Sequence, residues 1–133
     1  MLVAEVGGLI TAGVGIVFVS GFMHYVKSAT ENRSLDRNSA VGIRTRVTTA
    51  SDPAWWAGHR AAGPWLLSGS FTGYFISFLS LASAGYGMTS GGVGDAFMLI
   101  PGIGFLVLLV ILVVATIIAN KHGTKAEANG CKK

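Results

Sequence analysis

Two arginines near the middle of the chain are the side chains best suited to binding an anion. Residues 42–49 read GIRTRVTT, and in an extended segment successive side chains point to opposite faces. Arg44, Arg46 and Thr48 then share one face, which presents two guanidinium groups and a hydroxyl. This combination suits a phosphate or a carboxylate. Gly42, at the start of the segment, predicts a turn or a close approach of the backbone.

Residues 51–63 predict a short helix that positions further polar side chains. Ser51 or Asp52 can cap its N-terminus, and Pro53 fits the first helical turn. At about 100° per residue, one side carries Trp55, Trp56, His59, Arg60 and Gly63, and the other carries Ala54, Ala57, Gly58, Ala61 and Ala62. We predict an interfacial helix whose small side packs closely against another helix and which is interrupted at residues 63–64.

Residues 38–63 contain a pattern of residue types at fixed spacing. The pattern consists of Asn38, Gly42, Ile43, Arg44, Thr45, Thr48, Trp55, His59, Arg60 and Gly63. It resembles the signature of the SdpI family of bacterial membrane immunity proteins, and the chain resembles a short form of that family. The resemblance implies a role in resistance to a membrane-active peptide or in the signalling linked to it.

The candidate residues for contact with an anion or a partner come from this pattern and from the arginine-bearing face. They are Asn38, Gly42, Arg44, Thr45, Arg46, Thr48, Trp55, His59 and Arg60.

The composition indicates a membrane protein. Apolar residues make up 51% of the chain and charged residues 12%, against ~25% charged residues in a typical soluble domain. Three apolar runs, at residues 2–25, 64–86 and 96–120, are long enough to cross a bilayer. The first run carries Glu5 where a signal peptide has basic residues, so we expect it to be retained as a span.

The predicted fold is therefore an all-α membrane protein with three transmembrane helices. An ordered loop at residues 27–63, which includes the short interfacial helix, connects the first helix to the second. We expect residues 1–120 to form a single membrane domain and residues 121–133 to form a polar, basic and disordered tail. Pro101 predicts a kink or a loosened outer end in the third helix.

The basic residues predict the orientation of the chain in the membrane. Lys27, Arg33, Arg37, Arg44, Arg46 and Arg60 lie between the first two spans, and Lys121, Lys125, Lys132 and Lys133 follow the third. These are all of the lysines and arginines in the chain. The positive-inside rule then places the loop and the C-terminus in the cytoplasm and the N-terminus outside. We expect a multi-pass protein of the bacterial plasma membrane.

Small residues occupy every fourth position in part of the second span, at Gly69, Gly73 and Ser77. Small side chains allow helices to approach closely in lipid, where the hydrophobic effect does not drive their association. This glycine seam (Gly69, Gly73 and Ser77) predicts a helix contact, either within the chain or between two copies.

Two interpretations of Arg44 and Arg46 remain open. In the first they make a specific contact, either with a bound anion or with an internal carboxylate such as Asp52 or Glu31. In the second they only attract anionic lipid headgroups, an effect worth ~1 kcal/mol for each charge.

The tryptophans and His59 can also be interpreted as structural residues without a binding or catalytic role. The three tryptophans, Trp55, Trp56 and Trp65, favour an aromatic belt at the membrane interface. His59 has no carboxylate or second histidine at helical spacing, which favours a structural histidine over a titrating one.

The sequence contains no pattern typical of an enzyme. No nucleophile lies near a base, no pair of carboxylates lies within a span, and no metal-ligand spacing occurs. Cys131 is the single cysteine, which excludes an internal disulfide. The basic charge follows topology rather than a soluble face, so no nucleic acid is expected as a partner. We expect no cofactor and no metal, with membrane lipids as the surroundings.

Two functions from different classes stay open. The first is an immunity protein of the SdpI type. The second is a small accessory subunit of a larger membrane complex, such as a respiratory or cell-envelope assembly. In that case the glycine-rich helix faces would dock onto a protein partner or a second copy.

The distribution of basic residues makes a testable prediction about topology. In a Cys131→Ser background, single cysteines introduced by Arg33→Cys and Lys125→Cys should react with a membrane-impermeant thiol reagent only from the cytoplasmic side. A cysteine introduced by Ser90→Cys should react from the outside of intact cells. Labelling of position 90 from the cytoplasm alone would contradict the three-span topology.

Overall fold

The computed structural model describes residues 2–131 and contains four α-helices in that range. They are α1 (Leu2–Glu31), α2 (Asp52–Ser90), α3 (Asp95–Met98) and α4 (Ile100–Gly130). Val3–Glu31, Asp52–Ser90 and Asp95–Gly130 are long and apolar enough to cross a membrane, with mean hydropathies of 2.0, 1.3 and 3.0. No strand occurs among the described residues. The prediction of an all-α protein with three membrane-spanning helices is confirmed.

Helix α2 is longer than a bilayer requires. Its 39 residues correspond to about 58 Å at ~1.5 Å per residue, whereas the hydrocarbon core is about 30 Å thick. Part of α2 therefore extends beyond the hydrocarbon. Because Asp52, His59 and Arg60 lie near its start, we assign that part to its N-terminal end.

Pro64 lies inside α2 without interrupting it, so the predicted break at residues 63–64 and the separate interfacial helix are wrong. Proline removes one backbone N–H and crowds the preceding turn, but membrane helices tolerate it where their surroundings compensate. Pro64 itself is exposed, while Ala62 and Leu66 on either side of it are buried. The helix is thus continuous through a proline whose neighbours are packed inside the protein.

Residues 46–50 form a turn rather than the extended segment that their alternation predicts. The N–H of Thr49 donates to the carbonyl of Thr45 at 3.0 Å, and the N–H of Ala50 donates to that of Val47 at 3.2 Å. The hydroxyl of Thr49 donates to the same Thr45 carbonyl at 2.7 Å. Threonine hydroxyls that bond to nearby backbone groups compete with strand formation. The extended segment was therefore a wrong prediction.

The packing contacts divide the protein into two compact units. The first comprises Met1–Phe22 with Gly69–Leu109, and the second comprises Met23–Ser68 with Val110–Lys133. Each unit therefore contains a part of α1, α2 and α4. The glycine seam belongs to the first unit, and the loop between α1 and α2 belongs to the second.

In the first unit, small side chains on α2 lie directly against α1. Gly73 lies opposite Ser20, and the hydroxyl of Ser77 donates to the carbonyl of Gly13. Gly69 and both serines are buried. Gly73 and Ser77 therefore make their helix contact within the chain.

The third span is irregular near its start, as Pro101 predicts. Helix α3 ends at Met98 and α4 begins at Ile100. Between them, Leu99 donates its N–H to the carbonyl of Ala96 at 3.3 Å, a tighter turn than that of an α-helix. Pro101 has no N–H for the carbonyl of Phe97, so the preceding turn has lost one of its helical hydrogen bonds.

The polar tail is helical, so the expectation of disorder is wrong for residues 121–130. Helix α4 continues to Gly130, and Gly123 within it is buried. A Cβ atom at Gly123 would lie 3.0 Å from Cγ1 of Val47 and 3.3 Å from the carbonyl oxygen of Ala54. Close packing thus orders this part of α4. Lys132 and Lys133 lie outside the described residues.

The contact of Gly73 with α1 makes a prediction about stability. A Cβ atom there would lie against Ser20, 3.1 Å from its Cβ, and 3.3 Å from Cδ1 of Leu108. Ser20 is held in place, because its hydroxyl donates to the carbonyl of Ile16 at 2.7 Å. Gly73→Ala should therefore lower the thermal unfolding midpoint in detergent, with a cost of about 1–3 kcal/mol from overpacking.

Gly85→Ala is the matched control, because Gly85 lies in the same helix and a Cβ atom there would have nothing within 4 Å. Both substitutions gain the same helix propensity of about 1 kcal/mol. Only Gly73→Ala should be destabilising. Equal midpoints for the two variants would contradict the close contact between α1 and α2.

Candidate functional site

The loop between α1 and α2 is anchored by a tryptophan. Trp55 is completely buried, and its Nε1–H donates to the carbonyl of Leu35 at 3.1 Å. Leu35 is itself buried, at 3% exposure. The aromatic-belt interpretation is therefore wrong for Trp55. Trp56 is half-buried, and Trp65 is 41% exposed.

His59 connects the loop to α2 through both of its ring nitrogens. Nε2 accepts the N–H of Ile43 at 2.9 Å, and Nδ1 lies 3.0 Å from the carbonyl oxygen of Trp55. Because a backbone N–H can only donate and a carbonyl can only accept, this arrangement requires the neutral ring with its proton on Nδ1. The ring also packs against that of Trp55, with centroids 4.0 Å apart. His59 therefore has a structural role.

Gly42 must be a glycine for two reasons. Its φ angle is +123°, a backbone conformation that other residues rarely adopt. A Cβ atom there would also lie 2.8 Å from Nε2 of His59 and 2.8 Å from Cη2 of Trp55. Both the turn and the close backbone approach predicted at Gly42 are confirmed.

Two threonines organise the inner side of the loop. The hydroxyl of Thr48, which is completely buried, donates to the carbonyl of Ile43 at 2.6 Å and accepts the N–H of Thr45 at 2.9 Å. The hydroxyl of Thr45 donates to Oδ1 of Asn120 on α4. These hydrogen bonds fix the turn and connect it to a helix that is distant in the sequence.

The small side of the first turns of α2 packs against α4, as its residue types predict. Ala54 and Ala119 are completely buried. A Cβ atom at Gly58 would lie 2.8 Å from the carbonyl oxygen of Ala119 and 3.1 Å from Cγ2 of Thr48. Gly58 therefore lets α2, the loop and α4 meet at one point.

Arg44 stabilises the loop itself. Its Nη1 donates to the carbonyl of Ser39 and, at 3.3 Å, to that of Arg37. Asp52 forms an ion pair with Arg37 at 3.2 Å, and Glu31 pairs with a lysine of α1 at 2.7 Å. Neither carboxylate considered from the sequence is therefore the partner of Arg44.

The predicted anion-binding face is not formed. Thr48 points into the protein, whereas Arg44 and Arg46 are exposed. Asn38 is also exposed, and its backbone N–H donates to the carboxylate of Asp36 at 3.0 Å. Arg60 is exposed and lies beside a separate cleft at the end of α1. The sequence pattern therefore combines a buried cluster with several exposed cations.

Two residues of the cluster were not found from the sequence. Leu35 is the lone apolar residue in the polar stretch NRSLDRNS at residues 32–39, and this isolation could have identified it as an anchor. Asn120 carries no such signal, because its partner Thr45 is 75 positions away. Within residues 2–131, no group of three or more His, Cys, Asp or Glu side chains is placed to bind a metal ion.

Comparison with known proteins gives one result for this chain. The model of the SdpI/YfhL protein family matches residues 34–119. No match is found among curated proteins or among solved structures. The matched segment contains Leu35, Gly42, Trp55 and His59, whereas Asn120 lies one residue beyond it.

The double requirement at Gly42 makes a prediction about folding. Gly42→Ala should strongly reduce the thermal midpoint and the yield of folded protein in detergent. The added Cβ atom would collide with His59 and Trp55, and the backbone conformation would be strained as well. The measurement is thermal unfolding followed by size-exclusion chromatography.

Gly91→Ala is the control for the backbone conformation alone. Gly91 also has a positive φ angle, of +79°, but a Cβ atom there would have nothing within 4 Å. Gly91→Ala should lower the free energy of unfolding by about 1–2 kcal/mol, and Gly42→Ala should lower it by clearly more. If the two variants lose the same stability, crowding by His59 and Trp55 is not a constraint.

Proposed function

Because the chain belongs to the SdpI/YfhL family, we propose that it is an immunity protein that protects a bacterial plasma membrane from a membrane-active peptide or transmits the signal linked to that protection. The observation that carries this proposal is the position of the family match. It covers the loop from residue 34 onwards and the contacts of Leu35, Gly42, Trp55 and His59. The proposed role is binding, without catalysis and without a cofactor.

The two sides of the loop support a binding role. The inner side is fixed by buried contacts of Gly42, Thr48 and His59. The outer side exposes Arg44 and Arg46. A cation on a fixed loop loses little conformational freedom when it binds, which favours affinity. Guanidinium groups pair well with carboxylates and phosphates, so we propose an acidic group of the peptide or of a protein partner as their contact.

The proposed orientation follows from the positive-inside rule. It places the loop and the C-terminus in the cytoplasm and the N-terminus outside. The loop would then act on a signalling partner inside the cell or at the inner membrane surface.

The test of function is a killing assay in a sensitive bacterium. Cells that express the chain should survive the peptide toxin from which SdpI-type immunity proteins protect their hosts. Arg46→Gln should reduce survival while the amount of folded membrane protein stays unchanged, because Arg46 is exposed. Lys125→Gln removes the same charge from an exposed position of α4 and should leave survival unchanged.

The outcomes separate the two functions that the sequence left open. Survival equal to that of the empty vector would contradict an immunity role. If in addition a second protein co-purifies at a fixed ratio in mild detergent, the accessory-subunit function is supported instead. Full survival with Arg46→Gln would exclude this arginine as the contact.

A further inference from the structure

The cleft at the end of α1 carries an unbalanced positive charge. It has a volume of about 520 Å³, and its polar wall contains Lys27, Glu31, Arg33 and Arg60. Lys27 and Glu31 form an ion pair at 2.7 Å, so their charges offset each other. Arg33 and Arg60 are exposed and form no ion pair within residues 2–131. These two arginines therefore leave the cleft net positive.

Histidine does not add to this charge. His59 also lines the cleft, but its Nε2 accepts the N–H of Ile43 and its Nδ1 bonds to the carbonyl of Trp55. Both ring nitrogens are occupied inside the protein. Arg33 and Arg60 thus remain the groups available to a ligand.

Arg33 occupies a position where glycine is usual. Helix α1 ends in a Schellman motif, in which Arg33 donates its N–H to Thr30 at 3.1 Å and Ser34 donates its N–H to Ala29 at 3.0 Å. The residue at the centre of this motif is left-handed and is most often glycine. Arg33 adopts this conformation with a φ angle of +55°. Glycine would adopt this conformation without strain. The presence of arginine here therefore suggests that its side chain has a function.

The other wall of the cleft is apolar. It contains Trp56, Pro64 and Leu67, of which Trp56 and Leu67 are half-buried. Arg60, Pro64 and Leu67 follow at helical spacing, so they lie along one side of α2. About 10 Å of helix separates Arg60 from Leu67. Pro64 and Leu67 therefore continue from Arg60 towards the apolar span, whereas Trp56 lies one turn before Arg60.

We propose that this cleft binds an anionic phospholipid. The phosphate lies against Arg33 and Arg60, and the first part of an acyl chain lies against Pro64 and Leu67. A free phosphate offers the same chemistry to the arginines, but it leaves the apolar wall unused. The cleft volume falls in the range of about 300–1,000 Å³ found for small-molecule sites. This proposal does not depend on the proposed immunity function.

The test compares two lipids with identical acyl chains. Delipidated protein in a non-ionic detergent is mixed with dioleoyl-phosphatidylglycerol or dioleoyl-phosphatidylcholine, and retained lipid is measured by native mass spectrometry. The wild type should bind the phosphatidylglycerol at least about tenfold more tightly, as two cations that contact an anionic headgroup predict. Lys121→Gln with Lys125→Gln, which removes two exposed cations of α4, should keep that preference.

Arg33→Gly separates binding from folding. Glycine relieves the left-handed conformation, so the thermal midpoint of this variant without lipid should equal or exceed that of the wild type. Its preference for phosphatidylglycerol should nevertheless fall about threefold or more, because one of two cations is lost. Arg60→Gln should lower the preference similarly, and Arg60→Lys should restore most of it. Loss of binding with unchanged stability is a result that a purely structural role of Arg33 does not produce.

Three results would overturn the proposal. The first is the same lipid preference in Arg33→Gly, Arg60→Gln and the wild type, which would mean general attraction to the protein surface. The second is displacement of the lipid by millimolar inorganic phosphate or glycerol 3-phosphate, which would identify a free phosphate as the ligand. The third is an unchanged lipid affinity in Leu67→Ser, which would remove the acyl chain from the cleft.

Discussion

The hydrogen bond from the N–H of Ile43 to Nε2 of His59 is the contact on which the order of the loop depends. It requires a neutral imidazole whose second nitrogen is bonded to the carbonyl of Trp55. It also requires that no side chain at Gly42 separates the backbone from the two rings. In the described residues no buried side-chain nitrogen or oxygen lacks a hydrogen bond. Loss of one partner would leave a buried polar group unsatisfied, at a cost of about 1–3 kcal/mol.

Close approach of the helices at small residues adds to apolar burial as a source of order in both units. Large apolar side chains such as Phe75 and Phe78 are exposed, as expected where lipid rather than water surrounds a helix. Inside the first unit, Gly73 and Ser77 bring α2 against α1. Inside the second unit, Gly58 does the same for α2 and α4. Small residues at these contacts let dispersion and hydroxyl hydrogen bonds act at short range.

Four arginines of the second unit fall into two pairs with different physical roles. Arg44 and Arg37 support the loop, because they bond to its carbonyls and to Asp52. Arg33 and Arg60 line the cleft at the end of α1 and form no ion pair within residues 2–131. Arg33 even occupies a strained position. A uniform interpretation of all these residues as topological anchors would miss this division.

The sequence by itself determined the three spans and the turn or close backbone approach at Gly42. Hydropathy acts on each segment separately, and a sharp turn restricts the backbone of a single residue. The tertiary structure alone decided that α2 continues through Pro64 and that Trp55 points inward rather than to the membrane interface. It also decided that Thr45 pairs with Asn120, a residue 75 positions away. The physical reason is that each of these outcomes depends on contacts between residues that are far apart in the sequence. A local pattern of residue types does not specify which distant surfaces pack together.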